Sequence, residues 1–270
     1  VSAPAPFGGP VLGGARVALL GSGFGESASV RCRFEASGAT VVARHISARQ
    51  VECFAPPSSS AGVRVVEVSM NGQQYTSSGV TFTYLPAAAV SSLSPSSGAT
   101  EGGTPVTVLG SGFSAAGASS GALQCRFSST IVSAMYVSSR QIVCNSTQSS
   151  PGSVAVEVST NGRDFTSDGV EFESVSVLVT GVQPWSGPQA GGTQLTIVGT
   201  HVTSLGALRC RFSSPSVASV ESAASAGGAD RAHCLSPAVA AAGWLSVELL
   251  SFETALQSGS SFFVHSRMMV

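Results

Sequence analysis

Cys32-Arg33-Phe34 occurs again as Cys125-Arg126-Phe127 and as Cys210-Arg211-Phe212, and this repeated triplet decides the fold of the chain. Side chains on a β-strand alternate between two faces, so the Cys and Phe of each triplet share one face and the Arg lies on the other. Val30 extends the inward set in the first copy. The triplet therefore predicts a half-buried strand whose arginines are surface residues rather than an anion-binding site.

A second motif precedes each triplet with constant internal spacing: a proline, a glycine three residues on, and then a Gly-Gly pair. Its copies begin at Pro6, Pro95 and Pro184, 89 residues apart, and contain Gly9, Gly13, Gly14, Gly98, Gly102, Gly103, Gly187, Gly191 and Gly192. An alternating apolar segment follows each copy, which predicts a strand with one buried face. These segments are Val17, Leu19, Gly21; Val106, Val108, Gly110; and Leu195, Ile197, Gly199. The chain therefore contains three copies of one unit.

Further motifs follow the triplet in the same order. A second cysteine comes first, as Cys53, Cys144 and Cys234, and then an alternating segment, as Val66-Glu67-Val68, Val156-Glu157-Val158 and Val247-Glu248-Leu249. Asn71-Gly72 and Asn161-Gly162 predict tight hairpins, because both residues of such a turn adopt positive φ. Final strands are predicted at 76–82 and 166–172, with Phe262 at the matching place in the third copy.

Each unit thus has about six or seven short strands, frequent turn signals and no amphipathic helix, which is typical of an immunoglobulin-like β-sandwich. The predicted fold class is all-β, with three tandem immunoglobulin-like sandwiches that form a rod. We place the domains at 1–86, 87–175 and 176–270, and these ranges define repeats 1, 2 and 3. Few residues separate Tyr84 from Val90, so we expect neighbouring repeats to be closely coupled.

Each repeat contains two cysteines. Only pairing within a repeat treats the three copies alike, which predicts the disulfides Cys32–Cys53, Cys125–Cys144 and Cys210–Cys234. Zinc sites usually contain closely spaced Cys pairs, and no such pair occurs; His233 beside Cys234 has no counterpart in the other copies. Persistent disulfides require an oxidising compartment, so we expect secretion or surface display.

The opening motif, the Gly110-Ser-Gly-Phe113 strand end, the Cys-Arg-Phe strand and the Ile142-x-Cys144 closure together resemble IPT/TIG domains, the immunoglobulin-like repeats of plexins, the hepatocyte growth factor receptor and fibrocystin. The resemblance covers essentially the whole chain. It implies an early-type immunoglobulin fold, cysteines paired within each domain, a role in extracellular stalks or recognition, and no catalytic residues. Arrays of this composition also resemble cell-surface and ciliary-surface proteins of green algae, including mastigoneme components.

Composition excludes several function classes. Charged residues are 10% of the chain and the formal net charge is −1, so there is no basic surplus for a nucleic-acid partner. The chain has no lysine, which excludes Schiff-base and P-loop lysine chemistry. No apolar run is long enough to span a bilayer, and no signal peptide opens the sequence. We therefore expect a mature or excised fragment that meets a membrane only through an unseen part of its parent.

Candidate chemical sites have plainer structural interpretations. Gly21-Ser-Gly23-Phe-Gly25 resembles a phosphate loop, but no helix follows it and Gly110-Ser-Gly112 repeats it, so a turn is predicted. Asp164 and Asp168 could contribute to a Ca²⁺ site, although acids nearby are few. The four histidines, His45, His201, His233 and His265, occupy unrelated repeat positions. We therefore predict no catalytic residue, no metal site and no cofactor.

Asn145-Ser146-Thr147 is an N-glycosylation sequon directly after Cys144, and we predict a glycan there in an exposed loop. Repeat 3 departs from the pattern at three places. His201 replaces Gly23 and Gly112, which implies a changed turn; the Asn-Gly pair is replaced around residues 251–253; and residues 222–229 are an insertion. Trp185 stands where Ser96 opens repeat 2, and we expect it to be exposed at the junction with that repeat.

These features favour a non-catalytic extracellular array for structural assembly or adhesion at a cell or ciliary surface. Its expected partners are other proteins, including copies of itself, together with glycans, and not nucleic acid. The alternative is a ligand-binding segment of a plexin- or fibrocystin-like receptor ectodomain. An intracellular DNA-contacting module is opposed by the cysteine pairs, and an accessory domain of a carbohydrate-active enzyme is opposed by three consecutive copies.

Overall fold

The computed structural model describes residues 1–35, 38–202, 205–215, 217–228, 230–252, 254–256 and 260–266. Tertiary contacts divide the chain into two compact units. The first contains residues 1–92, 108–144 and 156–170, and the second contains residues 93–107, 145–155 and 171–270. The division runs through repeat 2, and the boundaries of the predicted domains stay a prediction.

In the first unit, repeat 1 is a single eight-stranded sheet folded into two layers. Its strands are β1 (Ala3–Ala5), β2 (Gly8–Pro10), β3 (Arg16–Leu20), β4 (Arg31–Phe34), β5 (Ala39–Ser47), β6 (Gln50–Phe54), β7 (Gly62–Ser69) and β8 (Thr81–Leu85). They follow the order β1-β3-β6-β5-β4-β7-β8-β2. Both layers contribute buried side chains to one core, which makes the repeat a β-sandwich.

Strand β5 connects the two layers of repeat 1. Its first half pairs with β4, where Val42 lies opposite Arg31, and its second half pairs with β6, where Ala43 lies opposite Cys53. The strand therefore changes layers between Val42 and Ala43. Cys32 on β4 and Cys53 on β6 lie on either side of this crossing, and their disulfide joins the layers with a Cα–Cα distance of 6.5 Å.

The predicted inward face of the Cys-Arg-Phe strand is confirmed by burial: Val30, Cys32 and Phe34 are fully buried. The Phe34 ring packs edge-on against Phe82 at 5.7 Å between centroids. Tyr84 completes this aromatic cluster, and its hydroxyl donates a hydrogen bond to the Pro56 carbonyl at 2.8 Å. Burial raises the pKa of Tyr84 to about 12, so the phenol remains a neutral donor.

The part of repeat 2 in the first unit repeats this arrangement with a broken strand. Its elements are α1 (Ala115–Ser119), β12 (Gln124–Phe127), β13 (Thr130–Ser133), β14 (Met135–Ser138), β15 (Gln141–Asn145) and the C-terminal half of β16 (Gly152–Ser159). β13 pairs with β12, whereas β14 pairs with β15, so the strand is broken at Ala134. The equivalent strand of repeat 1, β5, is continuous. The five-residue α1, which Ser114 caps, was not predicted.

The second unit contains the rest of repeat 2 and all of repeat 3. In repeat 2, β10 (Ser97–Ala99) and the N-terminal half of β16 pair with β17 (Glu171–Val175). β9 (Ala89–Ser94) and β11 (Pro105–Ser111) belong partly to each unit. Repeat 3 has β18 (Leu178–Gln183), β19 (Ser186–Pro188), β20 (Gln194–Thr200), β21 (Leu208–Ser214), β22 (Val217–Ala226), β23 (Arg231–Leu235), β24 (Gly243–Ser251), β25 (Thr254–Ala255) and β26 (Ser260–His265). The order β18-β20-β23-β22-β21-β24-β26-β19 matches repeat 1, with β22 as the layer-changing strand and β25 beside β24.

The opening motif adopts one geometry in all three repeats. Each of its prolines follows a cis peptide bond, and each Gly-Gly pair has positive φ at both residues, such as +79° at Gly13 and +83° at Gly14. A side chain at Gly13 would meet the backbone of Pro56 and Pro57. Glycine is therefore required at Gly13 both by backbone conformation and by close packing.

His201 keeps the left-handed backbone of the glycines that it replaces. Its φ is +56°, close to the +75° of Gly23 and the +72° of Gly112, so the expected change does not occur in the φ of this residue. Residues 203 and 204 of the same connection lie outside the described residues. Histidine is among the residues that tolerate this left-handed region better than most. Its backbone N–H also donates to Asp230 Oδ1 at 2.7 Å, and its ring Nδ1 lies 3.1 Å from the Ser176 carbonyl. These contacts offset the steric cost of the side chain.

The chain does reverse at both Asn-Gly pairs, since Ser159 and Phe165 form an antiparallel bridge and the Thr76 N–H donates to the Val68 carbonyl at 2.9 Å. The two-residue turn type predicted from the positive φ of both residues was wrong. Gly72 and Gly162 have positive φ but the asparagines do not, and β7 ends at Ser69, well before β8 begins at Thr81. The Asn side chain explains the difference, because Asn71 Oδ1 accepts the backbone N–H groups of Gln73 and Gln74, each at 3.0 Å. The pair therefore forms a side-chain-capped turn inside a longer loop.

In repeat 3, β24 and β25 pair with Ser251 opposite Thr254, so a tight connection occurs in the copy that lacks Asn-Gly. Glu253 lies outside the described residues, as does Ala229 at the end of the predicted insertion. Most of that insertion, residues 222–226, is the end of strand β22 rather than a loop. Among the described residues, no helix is long and apolar enough to traverse a bilayer.

Replacing Cys32 and Cys53 together with alanine should lower the free energy of unfolding by about 3 kcal/mol, because a loop of this length is then no longer closed in the unfolded chain. The free energy of unfolding is measured by urea denaturation, with the loss of β-structure followed by far-ultraviolet circular dichroism. The matched variant removes Cys125 and Cys144, whose separation of 19 residues is close to 21 and predicts a similar loss. Unchanged stability in both variants would contradict a stabilising role for the bridges.

Candidate interaction surfaces

The six cysteines form the three predicted disulfides. Besides the Cys32–Cys53 bond, Cys125 is bonded to Cys144 and Cys210 to Cys234, with Cα–Cα distances of 6.4 and 6.3 Å. Each bond lies in the core between the strands that flank the layer change, and all six residues are at most 3% exposed. The cysteines therefore hold the sandwiches together and are not available as metal ligands or nucleophiles.

The arginines of the Cys-Arg-Phe strands are surface residues, as predicted, and each lies near a glutamate on the facing strand. Arg33 Nη2 donates to Glu67 Oε2 at 2.5 Å, and Arg126 Nε donates to Glu157 Oε2 at 2.6 Å. In repeat 3, Arg211 lies 3.8 Å from Glu248 and closer, at 2.9 Å, to Glu221. Aromatic rings cover the first two guanidinium groups: Tyr75 lies over Arg33, and Phe165 lies over Arg126.

Sequence reasoning missed these pairs, although a signal was present. The glutamate of each Val-Glu-Val or Val-Glu-Leu segment points outward like the arginine, and strand pairing places Arg33 opposite Glu67 and Arg126 opposite Glu157. Opposite charges on facing strand positions stabilise a sheet modestly. The charge of these three arginines is therefore largely neutralised by the glutamates beside them.

The remaining candidates have structural partners. Asp168 Oδ2 accepts the Val90 backbone N–H at 2.8 Å, and Asp164 Oδ2 accepts from Asn161 Nδ2 at 2.8 Å, so both carboxylates are engaged within the protein. The histidine rings lie apart: His45 is near the Phe24 carbonyl, and His233 is near Thr196 Oγ1. Within the described part of the chain, no group of three or more His, Cys, Asp or Glu side chains could hold a metal ion.

Asn145 is the last residue of β15 and not part of a loop, and its side chain is exposed. The neighbouring Ser146 is buried, and its hydroxyl accepts the Thr104 backbone N–H at 3.1 Å. This contact fixes the backbone of the sequon and directs the Asn145 side chain outward. Trp185, which we expected at a junction, is 63% exposed.

The loop with Asn161 joins repeat 2 to repeat 1 within the first unit. We call residues 161–164 the repeat 2 loop. Asn161 Nδ2 donates to the Gly8 carbonyl at 2.9 Å, and Arg163 Nη1 donates to the Ala5 and Arg16 carbonyls at 3.3 and 3.0 Å. Asn161 is only 6% exposed. A side chain of one repeat thus binds backbone of another, in what we call the repeat 1–2 junction.

A small surface groove of about 250 Å³ lies at the same junction. It is lined by Pro10, Leu12, Ala87, Ala88, Val158, Thr160, Asn161, Asp164, Phe165, Thr166, Ser167 and Asp168. Asp168 faces the connecting peptide here, because it accepts the N–H of Val90. The bonds from Asn161 and Arg163 therefore join repeat 2 to repeat 1, while Asp168 fixes the first residues of repeat 2 after the connecting peptide.

A larger groove of about 560 Å³ lies on the outer surface of repeat 1, at the place where β5 changes layers. It is lined by Arg16, Val42, Ala43, Arg44, Glu52, Cys53 and Phe54. Val42 and Phe54 are 69% and 62% exposed and line the same groove, so they form a local apolar patch rather than isolated exposed side chains. Between them, Glu52 Oε2 accepts from Arg16 Nη2 at 2.6 Å and from Arg44 Nη2 at 3.2 Å. The groove combines exposed apolar surface with a fixed charged centre.

Repeat 3 has a smaller groove at the equivalent place, of about 160 Å³. It is lined by Gln194, Ala223, Ser225, His233, Cys234 and Leu235. The residue directly after the second cysteine is Phe54 in repeat 1, Leu235 in repeat 3 and Asn145 in repeat 2. The glycosylation sequon therefore occupies the position that carries an exposed apolar side chain in the other two repeats.

Comparison with known proteins assigns the fold to a family. The family model described as the IPT/TIG domain matches the chain three times, at residues 1–84, 88–174 and 178–262. The chain belongs to the IPT/TIG family. IPT/TIG modules are immunoglobulin-like and typically non-catalytic, and such domains generally mediate contacts between proteins. A search among curated proteins found no match.

Solved structures similar to this IPT/TIG array include two of the plexin A4 extracellular region. One is 18% identical over 97% of this chain, with a TM-score of 0.58, and the other is 16% identical over 95%, with a TM-score of 0.51. The chain covers 24% and 32% of those two plexin chains. At this identity the similarity concerns the fold, and it agrees with three tandem immunoglobulin-like domains.

Replacing Asn161 with alanine should destabilise the repeat 1–2 junction. The variant lacks the amide that donates to the Gly8 carbonyl, and it also lacks the side-chain oxygen that caps the turn inside the repeat 2 loop. Asn71→Ala is the matched control, since it removes the same turn from an exposed loop. We expect Asn161→Ala to cost about 1 kcal/mol more than Asn71→Ala in the free energy of unfolding, and to increase protease cleavage in residues 85–89. Equal losses of stability and equal cleavage in the two variants would contradict a stabilising role for the contact between Asn161 and Gly8.

Acid should remove the stabilising effect of Glu52. Hydrogen bonding from Arg16, aided by Arg44, lowers the pKa of Glu52 below its ordinary value of 4.5. The pair therefore stabilises the fold above that value and loses its effect as pH falls through the lowered pKa. Because both arginines are largely exposed, we expect less than about 1 kcal/mol.

The measurement is the free energy of unfolding of wild type and Glu52→Gln between neutral pH and about pH 3. Wild type should be the more stable protein at neutral pH, and the difference should vanish in acid. A difference that persists at the acidic end would show that the carboxylate charge is not its source.

Proposed function

We propose that this chain is a non-catalytic extracellular array whose immunoglobulin-like modules mediate protein–protein assembly or adhesion at a cell surface. The observation that carries the proposal is the repetition of one disulfide, in the same place, in three consecutive IPT/TIG modules. Disulfides persist in oxidising compartments, which supports a location outside the cytosol. A ciliary surface remains the more specific form of this proposal.

The distribution of polar groups supports a binding role over a catalytic one. Candidate acids and arginines are paired with each other or with backbone, whereas large apolar side chains are exposed on all three repeats. They include Leu12, Val42, Phe54, Val63, Met135, Leu178, Trp185, Leu235 and Trp244. A surface with scarce charge and exposed apolar side chains favours association with other proteins.

The alternative, a ligand-binding segment of a receptor ectodomain, is favoured by one observation, the repeat 1 groove. Its exposed Phe54 and Val42 flank the Glu52 carboxylate, which two arginines hold in place. Such a combination of apolar walls and oriented polar groups is common in binding sites. The groove has no counterpart of equal size among the described residues of repeat 3.

The proposed function is tested on intact cells of the natural source. Antibodies against this chain should label cells that have not been permeabilised, and extraction under oxidising conditions should recover the chain with other surface proteins. Labelling only after permeabilisation, with recovery of the cysteines as thiols, would contradict the proposal.

Asn145 is the proposed glycosylation site. Expressed through a eukaryotic secretory pathway, the chain should gain the mass of one N-glycan, and Asn145→Gln should abolish the gain, because the side-chain amide is the attachment point. Thr147→Ala is a second variant that keeps Asn145 but destroys the sequon. Intact-mass spectrometry before and after glycosidase treatment measures this. An unmodified wild-type chain would contradict the assignment.

A further inference from the structure

Repeat 1 contains a loop that is built like the repeat 2 loop but contacts no other repeat among the described residues. We call residues 71–74 the repeat 1 loop. Asn71 Oδ1 accepts two backbone N–H groups, as Asn161 Oδ1 does, and a serine two residues earlier donates to the same oxygen in each loop. Asn71 is exposed, whereas Asn161 is buried against Gly8. The same Asn-capped turn therefore occurs in both repeats: in repeat 2 it binds another repeat, and in repeat 1 it is exposed.

The surface that receives the repeat 2 loop also recurs. It consists of three backbone carbonyls at the start of repeat 1, those of Ala5, Gly8 and Arg16. We call this the opening surface. Its equivalents in repeat 3 are Gln183, Ser186 and Gln194, counted from the opening prolines Pro6 and Pro184.

The backbone geometry of the two opening surfaces is alike. In repeat 1 the Thr83 N–H donates to the Phe7 carbonyl at 3.0 Å, and in repeat 3 the Phe263 N–H donates to the Trp185 carbonyl at 2.8 Å. Short parallel strands follow in both, β2 beside β8 and β19 beside β26. The carbonyls that bind the repeat 2 loop in repeat 1 are therefore presented in the same way by repeat 3.

We propose that the repeat 1 loop binds the opening surface of repeat 3 in a second copy of this chain. The inference rests on the proposed assembly role and names its partner. The two surfaces differ from each other, so the contact is head-to-tail and leaves one free surface at each end of a dimer. Association therefore continues beyond two chains.

Apolar contact and hydrogen bonding both contribute to this interface. Trp185 lies between Gln183 and Ser186 of the opening surface of repeat 3 and is 63% exposed. An exposed indole supplies a large apolar contact area when a partner covers it. Gln73 stands where Arg163 donates to two carbonyls in repeat 2, and its amide provides a neutral donor in place of the guanidinium.

These contacts predict the character of the association. No covalent connection holds the two copies together and only a few hydrogen bonds form, so the complex is weak and reversible. The donor side chains, Asn71 and Gln73, are uncharged and the acceptors are backbone carbonyls, so added salt should not dissociate it. This separates the proposed contact from association through surface charges.

Sedimentation equilibrium of the 270-residue chain tests the proposal. The weight-average mass should rise above the 27.0 kDa of one chain as concentration increases to about 1 mM, and should pass the mass of a dimer. Gln73→Ala leaves the turn of Asn71 intact and should weaken association about fivefold, and Asn71→Ala should weaken it by at least as much. Trp185→Ser, which introduces the residue of repeat 2, should weaken it independently on the other surface.

Asn145→Ala is the matched control, because it removes an exposed amide far from both surfaces in sequence and should leave association unchanged. A chain that stays at 27.0 kDa throughout overturns the proposal, as does association that survives Gln73→Ala together with Trp185→Ser. Neither result bears on the proposed extracellular role, which surface labelling tests separately. A monomeric chain with surface labelling would overturn the contact between copies and leave the extracellular proposal standing.

Discussion

The disulfide across the layer-changing strand is the constraint on which the rest of each sandwich depends. A strand that leaves one layer and joins the other makes a corner, and the two layers can separate there unless something joins them. In repeat 1 the corner lies between Val42 and Ala43, and the bond from Cys32 to Cys53 spans it. Repeat 2 breaks the strand at Ala134 and keeps the bond, which shows that the bond does not require a continuous strand.

The sequence predicts the fold well because repetition supplies independent evidence at each position. The inward Cys and Phe, the outward Arg, the three cysteine pairs and the surface position of the arginines all follow from period-two patterning seen in three copies. The sequence also contained a signal for the Arg–Glu pairs, since Glu67 and Glu157 recur in a fixed motif. They were missed because facing positions depend on the register between strands, which a single strand pattern does not contain.

The features that the sequence did not predict are turns and contacts in which side-chain hydrogen bonds override the usual backbone preference of a residue. Asn-Gly is typical of a tight turn with two positive φ values, yet Asn71 and Asn161 use their side-chain oxygen to cap the turn and keep negative φ. His201 occupies a conformation favourable to glycine because Asp230 and Ser176 bind it, and neither is near it in sequence. The repeat 1–2 junction was likewise unpredictable, because Asn161 donates to a carbonyl 153 residues away.

The functional account follows from the same physical arrangement. Because the disulfides stabilise the cores, loops and outer faces can vary between repeats. The position directly after the second cysteine holds Phe54 in a groove, Leu235 in a smaller groove, and Asn145 of the glycosylation sequon. The most direct test of the central claim is peptide mapping of the purified chain by mass spectrometry without reduction. The account predicts three crosslinks, each between the two cysteines of one repeat. Six free thiols, or crosslinks that connect different repeats, would contradict it.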